Sequence, residues 1–158
     1  MRVLVTGIGG FVGPHLACAL ETAGHQVHGV ELPGVEVQAT AGVTMHAADL
    51  LDAAALGDVV ARARPDAVVH LAAMSFVPAA EADPKAAYRV NVEGTVGLLA
   101  AVETGVPKAR VLIIGSSDAY GAVAEADLPI RETKPLQPRS VYGATKAAVE
   151  VAATQWAS

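Results

Sequence analysis

The run Val3-Leu4-Val5 leads straight into Thr6-Gly7-Ile8-Gly9-Gly10-Phe11-Val12-Gly13, and this segment constrains the fold more than any other. Three apolar residues in succession suit a strand buried on both faces. The four glycines then force a turn, and Leu16-Ala17-Cys18-Ala19-Leu20 follows with residues that favour a helix. A buried strand, a glycine turn and a helix predict the first βα unit of a parallel sheet.

The rest of the chain repeats this alternation. Short β-branched runs predict strands over 3–6, 26–31, 43–46, 67–71 and 111–115. Ala-rich stretches between them predict helices over 11–23, 51–64, 84–104 and from 142 onward, each crossing over right-handedly to reach the next parallel strand. Pro129, Pro135 and Pro138 mark 121–140 as a loop. With 158 residues, 53% hydrophobic and 17% charged, one domain with one substantial core is expected, and no internal repeat interrupts it.

The totals exclude several classes of partner. A net charge of -5 without a run of Lys or Arg argues against nucleic acid and against an anionic membrane surface. No apolar run approaches the roughly 20 residues that span a bilayer. A soluble, cytoplasmic protein is expected. Arg2 followed by an apolar stretch and Ala17-Cys18-Ala19 imitates a secretion signal, but the glycines and Pro14 suit a strand-to-helix loop better. The single cysteine, Cys18, reads as a small buried hydrophobe. The five histidines lack metal-ligand spacing, so no metal is expected, and His70 reads as a hydrogen-bonding residue at a strand end.

In this context the glycines have a chemical use. Gly7 permits the tight turn, Gly9 and Gly10 let the backbone approach a pyrophosphate, and Gly13 permits close packing, while the helix N-terminus faces the negative charge. Glu31 ends the second strand, where a carboxylate accepts hydrogen bonds from ribose hydroxyls. A Walker phosphate loop is excluded because no Gly-Lys-Ser/Thr follows. Glu31 would repel a 2′-phosphate, and no Lys or Arg lies between Arg2 and Arg62 to neutralise one, so NAD is expected rather than NADP.

Tyr142-Gly143-Ala144-Thr145-Lys146 places a phenol and an ammonium four residues apart, on one face of a helix. Together with the glycine loop, His70-Leu71-Ala72-Ala73, Asn91-Val92-Glu93-Gly94-Thr95 and Ser116-Ser117-Asp118-Ala119-Tyr120-Gly121, this pair resembles the extended short-chain dehydrogenase/reductases along nearly the whole chain. The resemblance implies a Rossmann-like, doubly wound parallel sheet in the strand order 3-2-1-4-5. It implies Tyr142 as general acid/base, Lys146 holding the nicotinamide ribose and tuning Tyr142, and Ser116 hydrogen-bonded to the reacting sugar oxygen. Phe11 and Val12 belong to the cofactor loop; Asp49 and Leu50 would flank the adenine, and Leu71, Ala72 and Ala73 would line the cofactor path. Other readings stay open: a helix cap for Asp49, core packing for the apolar residues, a strand-end cap for Ser116, and a structural stitch for Asn91.

The stretch 70–78 and the later Pro135-Leu136-Gln137-Pro138-Arg139-Ser140 look most like the branch containing GDP-mannose 4,6-dehydratase and GDP-4-keto-6-deoxymannose reductase. That resemblance implies an NAD-dependent oxidoreductase acting on a nucleotide sugar, a 4-keto reductase or 4-epimerase with hydride transfer at C4. A 4,6-dehydratase is the alternative. Asp118 then supplies the second acid/base group, or is a plain turn residue. A cofactor-binding module without chemistry is the alternative of another class. Members of the family commonly form homodimers through the helices matching 84–104 and 142 onward, so a homodimer is expected. The resemblance stops twelve residues after Lys146. The expectation is therefore a dinucleotide-binding domain over 1–158 that carries the catalytic elements, truncated before the C-terminal substrate-binding part.

Overall fold

A computed structural model describes residues 1–37 and 42–157 of the chain. The sheet consists of β1 (Arg2–Thr6), β2 (Gln26–Glu31), β3 (Thr44–Ala47), β4 (Ala67–His70) and β5 (Arg110–Ile113), all parallel, in the order β3-β2-β1-β4-β5. This is the expected Rossmann-like arrangement. Helices α1 (Gly13–Thr22) and α2 (Ala53–Ala63) follow β1 and β3.

Burial on both faces explains the apolar strands. Leu4 pairs with His28 on one side and Val68 on the other, and with Val30 it packs against Leu56, Val59, Val60 and Ala63 of α2. The alternate residues Val3, Val5 and Val27 pack against Ile8 and against Ala17 of α1. Each fully buried Leu or Val of this kind contributes about 1.5–3 kcal/mol. The ends of α2 follow from local chemistry. Asp52 Oδ1 accepts the Ala54 and Ala55 amides at 3.0 Å each, and Arg64, at φ 43°, closes the helix in the left-handed region just before Pro65.

Several element boundaries differ from those read in the sequence. The expected helix over 84–104 is three pieces: α4 (Pro84–Tyr88), a π-helical turn over Arg89–Glu93, and α5 (Gly94–Gly105). A further short helix, α3 (Val77–Ala82), precedes them. Pro78 and Pro84 sit in first turns, where the missing N–H costs nothing, and Asp83 caps α4 through the Ala86 amide. Short 3₁₀ turns at Ser117–Tyr120 and Glu125–Asp127 lie in and before the expected loop. Strand β5 stops at Ile113, short of the expected 115. Cys18 is exposed, contrary to expectation, because α1 buries Gly13 and Ala17 and the next residue turns about 100° away.

The chain divides into two compact units, one of residues 1–73 and 97–114 and one of residues 74–96 and 115 onward. The first holds the sheet. The second holds α3, α4, the π turn and α6 (Val141–Trp156). Among the described residues no helix is long and apolar enough to cross a membrane.

Two histidines on β2 and β3 stack within the first unit, His28 Nδ1 lying 3.0 Å from His46 Nε2 and the ring centroids 5.3 Å apart. Burial, and after it the Arg2 guanidinium, hold His28 below the ordinary 6.5; burial, then His28 and Arg62, do the same to His46. Below pH 6.5 the unfolded chain therefore binds protons that the folded chain resists, and stability falls as pH drops. Urea titrations from pH 7.5 to 5.5 are expected to show this fall, with a shallower slope in His28→Gln.

Candidate functional site

The carboxyl ends of β1, β2 and β4 bring the first group of predicted residues together. Sheet order reverses between β1 and β4, and in open α/β sheets such a point is where ligands bind. Thr6 joins the two strands there. Its Oγ1 lies 2.6 Å from His70 Nδ1 and accepts the Ala72 amide at 3.4 Å, while its carbonyl accepts the Leu71 amide at 3.2 Å. The chain then turns at Gly7, whose φ is 67°, and a Cβ there would stand 2.7 Å from the Ala72 backbone. A Cβ on Gly13 would collide with the Ile8 carbonyl.

Glu31 reaches across from β2 to this loop. The Gly9 amide donates to its Oε2 at 2.9 Å, and the Leu32 amide to its Oε1 at 3.0 Å. A Cβ on Gly9 would lie 2.9 Å from the same carboxylate. The loop is thus a cradle closed to side chains, backed by the N-terminus of α1 and bounded by one carboxylate. Such a donor set fits a dinucleotide, with the pyrophosphate against the glycines and ribose hydroxyls at Glu31. Phe11 and Val12 are exposed at the loop, and Phe11 meets His15 edge-on at 5.7 Å.

Farther along, the Ala48 amide donates to the Glu31 carbonyl at 3.0 Å and brings Asp49 to the same end of the sheet. Asp49 Oδ1 accepts the Leu51 amide at 2.9 Å, a local turn contact, whereas the helix cap is Asp52. Leu50 and Leu71 are partly buried against the core clusters, as core packing would have them. Ala72 and Ala73 are half-buried.

The remaining predicted residues lie in the second unit. Ser140 caps α6 by accepting the Gly143 amide at 2.9 Å, which starts the helix one residue before Tyr142. Lys146, one turn later, is 8% exposed, with its ammonium 5.9 Å from the Tyr142 ring centroid. Desolvation pulls its pKa below the usual 10.5. Ser116 Oγ accepts the Asp118 amide at 3.2 Å and caps the 3₁₀ turn, while Asp118 itself is exposed.

Gly143 and Thr145 are not legible in the sequence as site residues, whereas Asn91 carries the reading of a structural stitch. Gly143 lets the Asp118 carbonyl come so close that a Cβ would stand 2.6 Å from it, docking the Ser116 turn onto α6. Asn91 is buried in the π turn, accepting the Met74 amide at 2.7 Å and donating to the Met74 carbonyl and to Thr145 Oγ1. Thr145 in turn donates to the Tyr142 carbonyl at 2.7 Å. A glycine and an asparagine inside helical segments, both poor helix formers, were the available signals.

The GDP-mannose 4,6 dehydratase family model matches residues 4–158. The chain belongs to this family. It is 39% identical, over 98% of its own length and 47% of the relative's, to GDP-6-deoxy-D-mannose reductase of Pseudomonas aeruginosa. Among solved structures it resembles UDP-glucose 4-epimerase of Thermus thermophilus in complex with NAD, with TM-score 0.90 and 31% identity over 99% of this chain and 50% of that one. It also resembles RMD from Pseudomonas aeruginosa complexed with NADPH, with TM-score 0.77 and 35% identity over 99% of this chain and 48% of that one. The relatives are nucleotide-sugar epimerases, dehydratases and reductases of the extended short-chain dehydrogenase/reductases. The chain spans about half the length of those it matches.

Asn91→Ala leaves the Met74 amide and carbonyl without their partner, and is expected to cost about 1–3 kcal/mol in urea denaturation. Gly7→Val is expected to reduce dinucleotide affinity at least about tenfold by calorimetry, because it meets both a positive φ and the Ala72 backbone.

Proposed function

We propose that this chain is the dinucleotide-binding and proton-transferring part of an NAD-dependent nucleotide-sugar oxidoreductase, a 4-keto reductase or 4-epimerase. The observation that carries this reading is the pairing of Tyr142 with the buried Lys146 on the first turns of α6, against which Gly143 seats the Ser116 turn. When bound, the dinucleotide supplies the hydride acceptor or donor for C4 of the sugar. Tyr142 takes the proton of the C4 hydroxyl as the hydride leaves, and returns it in the reverse direction. Ser116 hydrogen-bonds the same oxygen, and Lys146 holds the nicotinamide ribose. Gly7, Gly9, Gly10 and Gly13 cradle the pyrophosphate and Glu31 takes the ribose hydroxyls, with Asp49 and Leu50 near the adenine and Leu71, Ala72 and Ala73 along the cofactor. Tyr142→Phe is expected to lower turnover about 100-fold or more, read from dinucleotide absorbance with GDP-, UDP- and dTDP-sugars.

The exposed Asp118 carboxylate, two residues beyond Ser116, favours a second reading as a 4,6-dehydratase, in which it shuttles the proton of the eliminated water. Formation of a 4-keto-6-deoxy sugar that Asp118→Asn abolishes would select this reading. Tight dinucleotide binding with no reaction on any sugar nucleotide would point instead to a binding module.

The neighbours carry both NAD and NADPH, and Glu31 argues for NAD here. A carboxylate engaged with the Gly9 amide places negative charge where a 2′-phosphate would come. NAD is expected to bind about tenfold or more tighter than NADP, with the gap narrowed in Glu31→Ala; equal affinities in the unaltered chain would refute this.

Much of the rate of such a reaction, about 7–11 kcal/mol of barrier, comes from holding the reactants together. These 158 residues alone are expected to bind the dinucleotide yet turn over sugar nucleotides far below the usual range of roughly 1–10³ per second. A homodimer through α4, α5 and α6 belongs to the same reading, and light scattering tests it.

A further inference from the structure

The Val141 amide donates to Glu81 Oε1 at 2.7 Å, joining two elements sixty residues apart. We propose that Glu81 is a positioning residue for Tyr142, fixing the first turn of α6 from the end of α3. This rests on the reading of Tyr142 as the proton-transferring residue.

The first amides of a helix have no partner within it. In α6 the first intrahelical bond runs from the Ala144 amide to the Ser140 carbonyl. Of the amides before it, Gly143 is held by Ser140 Oγ at 2.9 Å and Val141 by Glu81. Tyr142 therefore sits between two tethered neighbours. Restricting the backbone on both sides of a residue restricts the direction of its side chain, and Lys146 is already fixed by burial one turn later.

The charge of Glu81 also has a use. The first turn of α6 contains no acidic residue, and a carboxylate supplied from α3 meets the positive end of the helix. Bonds from an amide to an ionised carboxylate are shorter and stronger than neutral ones. Among the described residues Glu81 joins no ion pair, so its carboxylate is committed to the backbone. Asp52 and Asp83 cap the helices that they themselves begin, and so report only local structure. Glu81 acts between segments distant in sequence, so the start of α6 is set by where α3 lies.

The test is nuclear magnetic resonance on the 15N-labelled chain with Glu81→Gln and Glu81→Ala. In the unaltered protein the Val141 amide shift is expected to change with pH, because its partner is a carboxylate. Glu81→Gln should abolish that titration while keeping slow amide exchange at Val141, because its amide oxygen still accepts the bond. Glu81→Ala should speed exchange there about tenfold and weaken the nuclear Overhauser contact between the Tyr142 ring and Lys146, a contact that Glu81→Gln retains. A Val141 shift that stays flat in the unaltered protein overturns the proposal, as do unchanged exchange and contact in Glu81→Ala. Should Glu81→Ala fail to fold, the titration and its loss in Glu81→Gln still decide. Full turnover in Tyr142→Phe would refute the acid/base reading while leaving the Val141 titration untouched, so the two failures are separable.

Discussion

The close approach of β1 and β4 at their carboxyl ends is the constraint on which the glycine loop depends. Thr6 is wholly buried, so its hydroxyl and carbonyl must find partners inside the protein. They find them in His70, Leu71 and Ala72, and this brings the chain after β4 against Gly7. Only a residue without Cβ, at positive φ, passes that point. The shape of the loop then follows, since the Gly7 amide is held by the Val30 carbonyl at 2.9 Å and the Gly9 amide by Glu31. Polar satisfaction at one buried threonine thus sets the path of the glycine loop.

The second unit is organised in the same way around a buried polar side chain. Asn91 makes three hydrogen bonds, two to Met74 and one to Thr145, and Thr145 passes the connection to the Tyr142 carbonyl. The π turn around Asn91 widens the helix by one residue, and Thr95 Oγ1 donates to the Asn91 carbonyl at 2.5 Å. Such turns recur at functional sites because they redirect one side chain without ending the helix. Here the redirected residue ties the start of the unit, at Met74, to the middle of α6.

Lys146 is a lysine that packing buries at a cost in stability. A lysine that is 8% exposed has lost much of its hydration, which disfavours its charge. A purely structural helix would place an alanine or leucine there. Retaining a lysine beside a tyrosine on a helix otherwise rich in alanine is the kind of local inconsistency that marks functional positions.

By itself the sequence determined the layer architecture and, through its likeness to a known family, the strand order, and it located the glycine turn after β1 and the Tyr142–Lys146 pair on a helix. These are readable because an apolar run, a glycine spacing and an i, i+4 pair are local patterns with few alternative physical causes. Only the tertiary structure decided that the helix over 84–104 is broken by a π turn, that Cys18 faces solvent, and that Asp49 makes a local turn while Asp52 caps α2. It also decided which partners Asn91 holds and that Gly143, Thr145 and Glu81 make contacts between distant segments. Their roles rest on contacts between distant segments, such as the sixty residues separating Glu81 from Val141. No periodicity or spacing within one segment encodes which buried amide or carbonyl another segment will leave in need of a partner.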